Sequence, residues 1–120
     1  MLIRSQDKRM IVNFDNICTV SAFPEKDSED IYVEDGTGPL MVGRYSTKAK
    51  VMKVLDMIQE AYADFEASKI TNAGLATAAY TGSYDTPESV AGGIKVLKGY
   101  AEMIRESVAF QMPEDGSVEL

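Results

Sequence analysis

The sequence predicts an α+β protein: a small antiparallel β-meander at the N-terminus, covered by one long helix, with a second helix towards the C-terminus. Three observations carry this expectation. The first 45 residues hold short β-branched and aromatic runs broken by turn residues. From Ser46 to Ile70 the residues Val51, Val54, Leu55, Ile58, Tyr62 and Phe65 recur at spacings of three and four, which gathers them in one stripe of a helix. Val90, Ile94, Leu97, Ala101, Ile104 and Val108 then step alternately by four and three, a narrower seam on a second helix.

Each element has a local cause. Leu2-Ile3 opens a strand that Ser5-Gln6-Asp7-Lys8 turns back into Met10–Phe14, and Asp15-Asn16 is a turn pair because both tolerate left-handed geometry. Ile17–Phe23 reads as a third strand ended by Pro24, followed by a charged loop from Glu25 to Asp30. Ile31-Tyr32-Val33 and Leu40-Met41-Val42 flank Glu34-Asp35-Gly36-Thr37-Gly38-Pro39, a hairpin signal, since Asp-Gly supplies the positive φ of a tight reversal. Ser46 or Thr47 can cap the first helix. No Glu or Gln follows three residues later, and Lys48, Lys50 and Lys53 oppose the helix dipole.

Residues 71–85 carry no charge until Asp85 and show no period, and are expected to form a loop, although Leu75, Ala76, Ala78 and Ala79 can also prolong the helix. Thr86-Pro87-Glu88 restarts a helix with a cap, a proline at its first position and an acid at its positive end. Gly92, Gly93 and Gly99 lie inside this helix, each unfavourable by about 1 kcal/mol against alanine. They imply close approach to another backbone, either of this chain or of a second copy. Phe110-Gln111-Met112-Pro113 suits a last strand. The chain is thus expected to form one domain over 1–120: meander 1–45, first helix 46–70, loop 71–85, second helix 86–109 and tail 110–120.

With 120 residues and 45% hydrophobic content the chain can bury one core. Its formal charge of −7 argues against a nucleic-acid backbone as partner, because such binding needs lysine and arginine to neutralise phosphates. The acids concentrate between Glu25 and Asp35 and in the last third of the chain. The single cysteine, Cys18, excludes an internal disulfide and is expected to be a small buried apolar group. No run approaches the ~18 apolar residues of a membrane span, and no signal peptide is apparent, so a cytoplasmic protein without a membrane partner is expected.

Catalysis finds little support. There is no histidine, no glycine-rich phosphate loop, no nucleophile elbow and no paired-cysteine metal signature. The acids Asp27, Glu29, Asp30, Glu34 and Asp35 match no calcium loop and read as a solvated segment. No catalytic residue, metal or cofactor is expected, and binding remains. Tyr80 and Tyr84 bracket Thr81-Gly82-Ser83 just before the second helix; aromatic faces can hold a base, while hydroxyls, glycine and a helix N-terminus can hold a phosphate. Arg4, Arg44 and Arg105 complete the candidate ligand-binding set. A packed tyrosine loop bridging two helices explains the same residues without a ligand.

The opening Ile3-Arg4-Ser5-Gln6-Asp7, the junction from Gly43 through Tyr45-Ser46-Thr47 to Leu55, and the ending Phe110-Gln111-Met112-Pro113-Glu114 resemble small uncharacterised proteins of Gram-positive bacteria and their phages. The resemblance implies a phage or prophage accessory protein acting against host defence, and it assigns no site. Two readings follow: a non-enzymatic sponge for a small anionic signalling nucleotide such as a cyclic nucleotide, homo-oligomeric through its second helix, or an acidic protein that docks on and inhibits a host protein. Intrachain helix pairing accounts for the seam equally well.

Overall fold

The computed structural model describes residues 1–80 and 86–120, with the side chains of 72–73, 75–80, 104 and 106–107 outside the description. The architecture is α+β, as the pattern predicts: five strands, a long helix, a second helix and a closing strand. In chain order these are β1 (Leu2–Arg4), β2 (Ile11–Asn13), β3 (Thr19–Pro24), β4 (Glu29–Glu34), β5 (Pro39–Tyr45), α1 (Lys48–Tyr80), α2 (Pro87–Val108) and β6 (Ala109–Gln111). Short 3-10 turns occupy Phe14–Asn16 and Asp115–Ser117.

The strands form two sheets of three, in place of the single meander expected. One is ordered β2-β1-β6 and the other β3-β4-β5. The expected last strand exists as β6, shifted to Ala109–Gln111, and it runs parallel to β1. The third strand starts later than its apolar pattern suggests, at Thr19, leaving Cys18 exposed and correcting the expectation of a buried thiol. Glu29 and Asp30 belong to β4 and not to the charged loop. The hairpin around Asp35-Gly36 forms as expected, with Gly36 at φ 94° and the Asp35 carboxylate accepting the Thr37 N–H at 2.9 Å.

The chain divides into two compact units, Met1–Tyr62 with Ala109–Leu120, and Ala63–Val108. The first holds the core. Ile3, Ile31, Val33, Val42 and Tyr45 of the strands, Val51, Val54 and Ile58 of α1, and Met112 of the tail are all buried. The helix stripe read from the sequence is therefore the covered face, and Tyr62 at its edge lies 5.0 Å from the Phe14 ring. Thr47 is the cap: its Oγ1 accepts the Lys50 N–H at 3.2 Å.

The three segments that carry the resemblance meet in this unit. The Gln6 amide donates to the Arg44 and Pro113 carbonyls and accepts the Arg44 N–H at 2.9 Å. The Tyr45 hydroxyl donates to the Pro113 carbonyl at 2.9 Å. Asp115 accepts from the Ser46 N–H at 2.7 Å and from Lys50 Nζ at 3.3 Å, so the lysine that opposes the helix dipole is compensated by a tail carboxylate. The Ser46 N–H bond is the largest influence holding the Asp115 carboxyl below the usual range. These motifs are a structural fixture joining both sheets and the helix start.

The expectation of a loop from residue 71 is overturned, because α1 continues to Tyr80. Alanines are the best helix formers, and their abundance here outweighs the lack of charge and of period. Residues 81–85 lie outside the described residues. The start of α2 is as read: Thr86 Oγ1 accepts the Ser89 N–H at 3.1 Å and Ser89 Oγ accepts the Thr86 N–H at 3.1 Å, a reciprocal cap with serine in place of glutamate.

Candidate functional site

The outer face of the β3-β4-β5 sheet collects the side chains with the most binding chemistry among those described. Antiparallel register places Phe23, Asp30 and Arg44 in one cross-strand row and Ser21, Tyr32 and Met41 in the next. Arg44 and Met41 are three residues apart, so regular alternation would send them to opposite faces. A bulge makes Val42 an extra residue between the Ile31↔Gly43 and Tyr32↔Met41 pairs, which brings both side chains outward and turns Val42 into the core.

Gly43 permits this geometry by its lack of a side chain. A Cβ there would lie 2.9 Å from Tyr45 Cε2 and 3.1 Å from Met112 Cε. Bulge, glycine and buried tyrosine together fix where Arg44 leaves the strand.

Arg44 is held by Asp30 through two parallel bonds, Nε to Oδ1 at 2.8 Å and Nη2 to Oδ2 at 2.9 Å. The carboxylate is fully buried while the Arg44 side chain remains 59% exposed. Paired donation from Arg44 keeps the Asp30 carboxyl below its usual range, against the opposing effect of burial. The same partner raises the Arg44 pKa, so the guanidinium stays charged. Among the described residues no acceptor meets its Nη1. The arginine is thus pre-oriented, with one edge fixed and one edge offered to solvent.

Beside it stand two aromatics. Phe23 and Tyr32 meet edge to face with centroids 5.7 Å apart, and Phe23 is 52% exposed. Phe23, Pro24, Glu25, Tyr32 and Pro39 line an open cleft of about 370 Å³. Burial is the first cause that raises the Tyr32 phenol, with the Asp30 charge second. An aromatic shelf next to an immobilised guanidinium can stack a planar ring and donate hydrogen bonds to an oxyanion.

Of the sequence candidates, Arg44 is the one on this face. Arg4 donates its Nε and Nη2 to the Lys8 carbonyl at 3.3 and 3.2 Å, bracing the β1–β2 turn in which Lys8 takes φ 64°. Arg105 is exposed on α2, in the second unit. Thr81, Gly82, Ser83 and Tyr84 lie outside the described residues, as does the side chain of Tyr80. Phe23 and Tyr32 were not singled out by the sequence, where they read as ordinary strand aromatics. The usable signal was Gly43 inside a strand pattern, the mark of a bulge.

Among the described residues, no three His, Cys, Asp or Glu side chains gather closely enough to hold a metal ion, and no helix is long and apolar enough to cross a membrane. No family model, curated protein or solved structure matches this chain.

Proposed function

We propose that this protein acts by binding without catalysis, as a phage or prophage accessory protein that sequesters a small anionic nucleotide used in host defence. The observation that supports it most is Arg44, locked by buried Asp30 beside the half-exposed Phe23–Tyr32 pair. A base stacks on the aromatic shelf, and a phosphate oxygen takes the open edge of the guanidinium. Because Asp30 neutralises most of the charge of Arg44, affinity comes from stacking and directed hydrogen bonds more than from long-range attraction. The uncharged Tyr80–Tyr84 segment, read from the sequence, offers a second place for the same chemistry. The viral context rests on the resemblance of the three fixture segments.

The alternative, an acidic protein docking on a host protein, drew on the acids from Glu25 to Asp35 as one patch. Asp30 is buried in its ion pair, and Glu29 and Glu34 begin and end β4, about 17 Å apart at strand rise. The acids therefore divide between two ends of a strand, and the nucleotide reading is favoured.

A panel of cyclic and linear nucleotides, followed by thermal shift and calorimetry, tests the proposal. A bound nucleotide at a hundred times its Kd adds about 2.7 kcal/mol of stability. It should be recovered chemically unchanged after heat denaturation. Phe23→Ala should weaken binding by about tenfold or more with little effect on melting, since the ring is half exposed. A panel without any thermal shift overturns the reading, and so does recovery of a converted product.

A further inference from the structure

We propose, resting on the nucleotide reading above, that the Phe23–Tyr32 cleft beside Arg44 selects a nucleotide whose phosphate carries a single negative charge, a phosphodiester. It disfavours the terminal phosphate of a nucleoside monophosphate or polyphosphate.

The charges at this face are few. Arg44 supplies one positive charge, and the buried Asp30 carboxylate opposes it through the two bonds at 2.8 and 2.9 Å. Glu25 adds a second acid. It lines the cleft together with Phe23, Pro24, Tyr32 and Pro39, and no lysine or arginine stands among those residues. Among the described residues none forms an ion pair with Glu25. The residues whose side chains lie outside the description include no lysine or arginine, so they add no cation to this balance. One base against two acids leaves an excess negative charge at the site.

The backbone fixes where Glu25 stands. β3 ends at Pro24, and the Glu25 N–H donates to the Ser28 carbonyl at 2.8 Å, so the chain reverses in a tight turn before β4 begins at Glu29. The field of this carboxylate extends over the whole face. Arg44 is raised first by its bonds to Asp30 and further by the Glu25 charge, and the Tyr32 phenol is raised by burial, then by Asp30, then by Glu25.

An anion arriving here gains directed hydrogen bonds from the open edge of the guanidinium but no net attraction, since the chain as a whole also carries −7. The bonds offset the cost of one negative charge. A phosphodiester carries only that one, whereas a terminal phosphate at neutral pH carries about 1.5 to 2. The additional charge finds no second cation and meets the repulsion of Glu25. Sites for polyphosphates are built the other way, from glycine-rich backbone N–H groups and a lysine, and the sequence holds no such loop.

Calorimetric titration with matched ligands tests the proposal. The probes are cyclic mononucleotides and cyclic dinucleotides, the ring-opened form of each bearing a terminal phosphate, and the methyl ester of that phosphate, which restores the single charge without the ring. The cyclic form should bind about tenfold more tightly than the ring-opened phosphate, and the methyl ester should recover binding to within about threefold of the cyclic form. Raising salt from about 50 to 500 mM should narrow the gap, because screening weakens the repulsion. Glu25 is exposed, so Glu25→Gln should fold as wild type and reduce the preference to about threefold. A ring-opened phosphate that binds as tightly as the cyclic form, an ester as weak as the free phosphate, or a preference unchanged in Glu25→Gln overturns the charge selection and leaves the nucleotide reading standing. Binding by none of these probes overturns both.

Discussion

The two units of this chain are built from similar proportions of apolar residues and reach opposite outcomes. In the first, strands distant in sequence pair across two sheets, and the buried side of α1 places Val51, Val54 and Ile58 in a core with Ile31, Val33 and Val42. In the second, the apolar residues of α2 remain near half exposure. A sheet face needs one covering layer to become dry. Among the described side chains of α2 no such covering layer is present, and Val90, Ile94, Val96, Leu97 and Met103 stay between 43 and 54% exposed.

The largest way to break this contrast is truncation in each unit. Ile31→Ala removes a fully buried side chain from β4 and should destabilise the first unit by about 2–5 kcal/mol in chemical denaturation. Leu97→Ala, at 46% exposure, should change stability by less than about 0.5 kcal/mol in the same measurement. Equal losses in both would mean that the second unit has a core after all.

Acid should sharpen the contrast. Asp7, Asp30, Asp35 and Asp115 all belong to the first unit and all titrate below the usual carboxylate range: Asp7 chiefly through the Ser5 hydroxyl, Asp30 through Arg44, Asp35 through Thr37, and Asp115 through the Ser46 N–H. A depressed folded-state pKa adds stability that is complete above the unfolded value, about 3.9 for aspartate, and is lost as pH falls through the folded value. The first unit should hold its melting temperature from neutral pH to about 5 and lose it below about 4. Asp30→Asn should flatten part of that decline while lowering stability at pH 7, because Arg44 loses its charged partner. An acid profile identical to wild type in this variant would remove the ion pair from the account.

How much of this was legible in the sequence follows the range of each interaction. The Asp35-Gly36 hairpin, the Thr86 cap and the α1 stripe depend on neighbours within a few residues, and the pattern revealed them. The Asp30–Arg44 pair joins residues 14 apart through a register that a bulge shifts, so Asp30 read as part of a charged loop. The split into two sheets depends on β6 returning from the end of the chain to β1, which no local signal encodes. Cys18 read as buried because apolar neighbours flank it, although β3 begins one residue later. In residues 71–80, absence of charge and period reads as a loop, whereas alanine's helix preference is the stronger influence.

A last pair of substitutions differs in sign between the units. Gly43→Ala would place a Cβ 2.9 Å from Tyr45 Cε2, and Tyr45 cannot withdraw: it is fully buried and its hydroxyl is bonded to the Pro113 carbonyl. The Met112 methyl, at 3.1 Å, can turn aside, so the clash with the ring decides the outcome. Gly43→Ala should therefore destabilise the first unit by about 1–2 kcal/mol. Gly74→Ala meets nothing within 4 Å and replaces a poor helix former with the best, so it should stabilise the far half of α1 by up to about 1 kcal/mol. Amide hydrogen exchange separates the two, with β5 losing protection in the first variant and residues around 74 gaining it in the second. If Gly43→Ala were silent, the bulge would not need its glycine, and the fixed direction of Arg44 would require another cause.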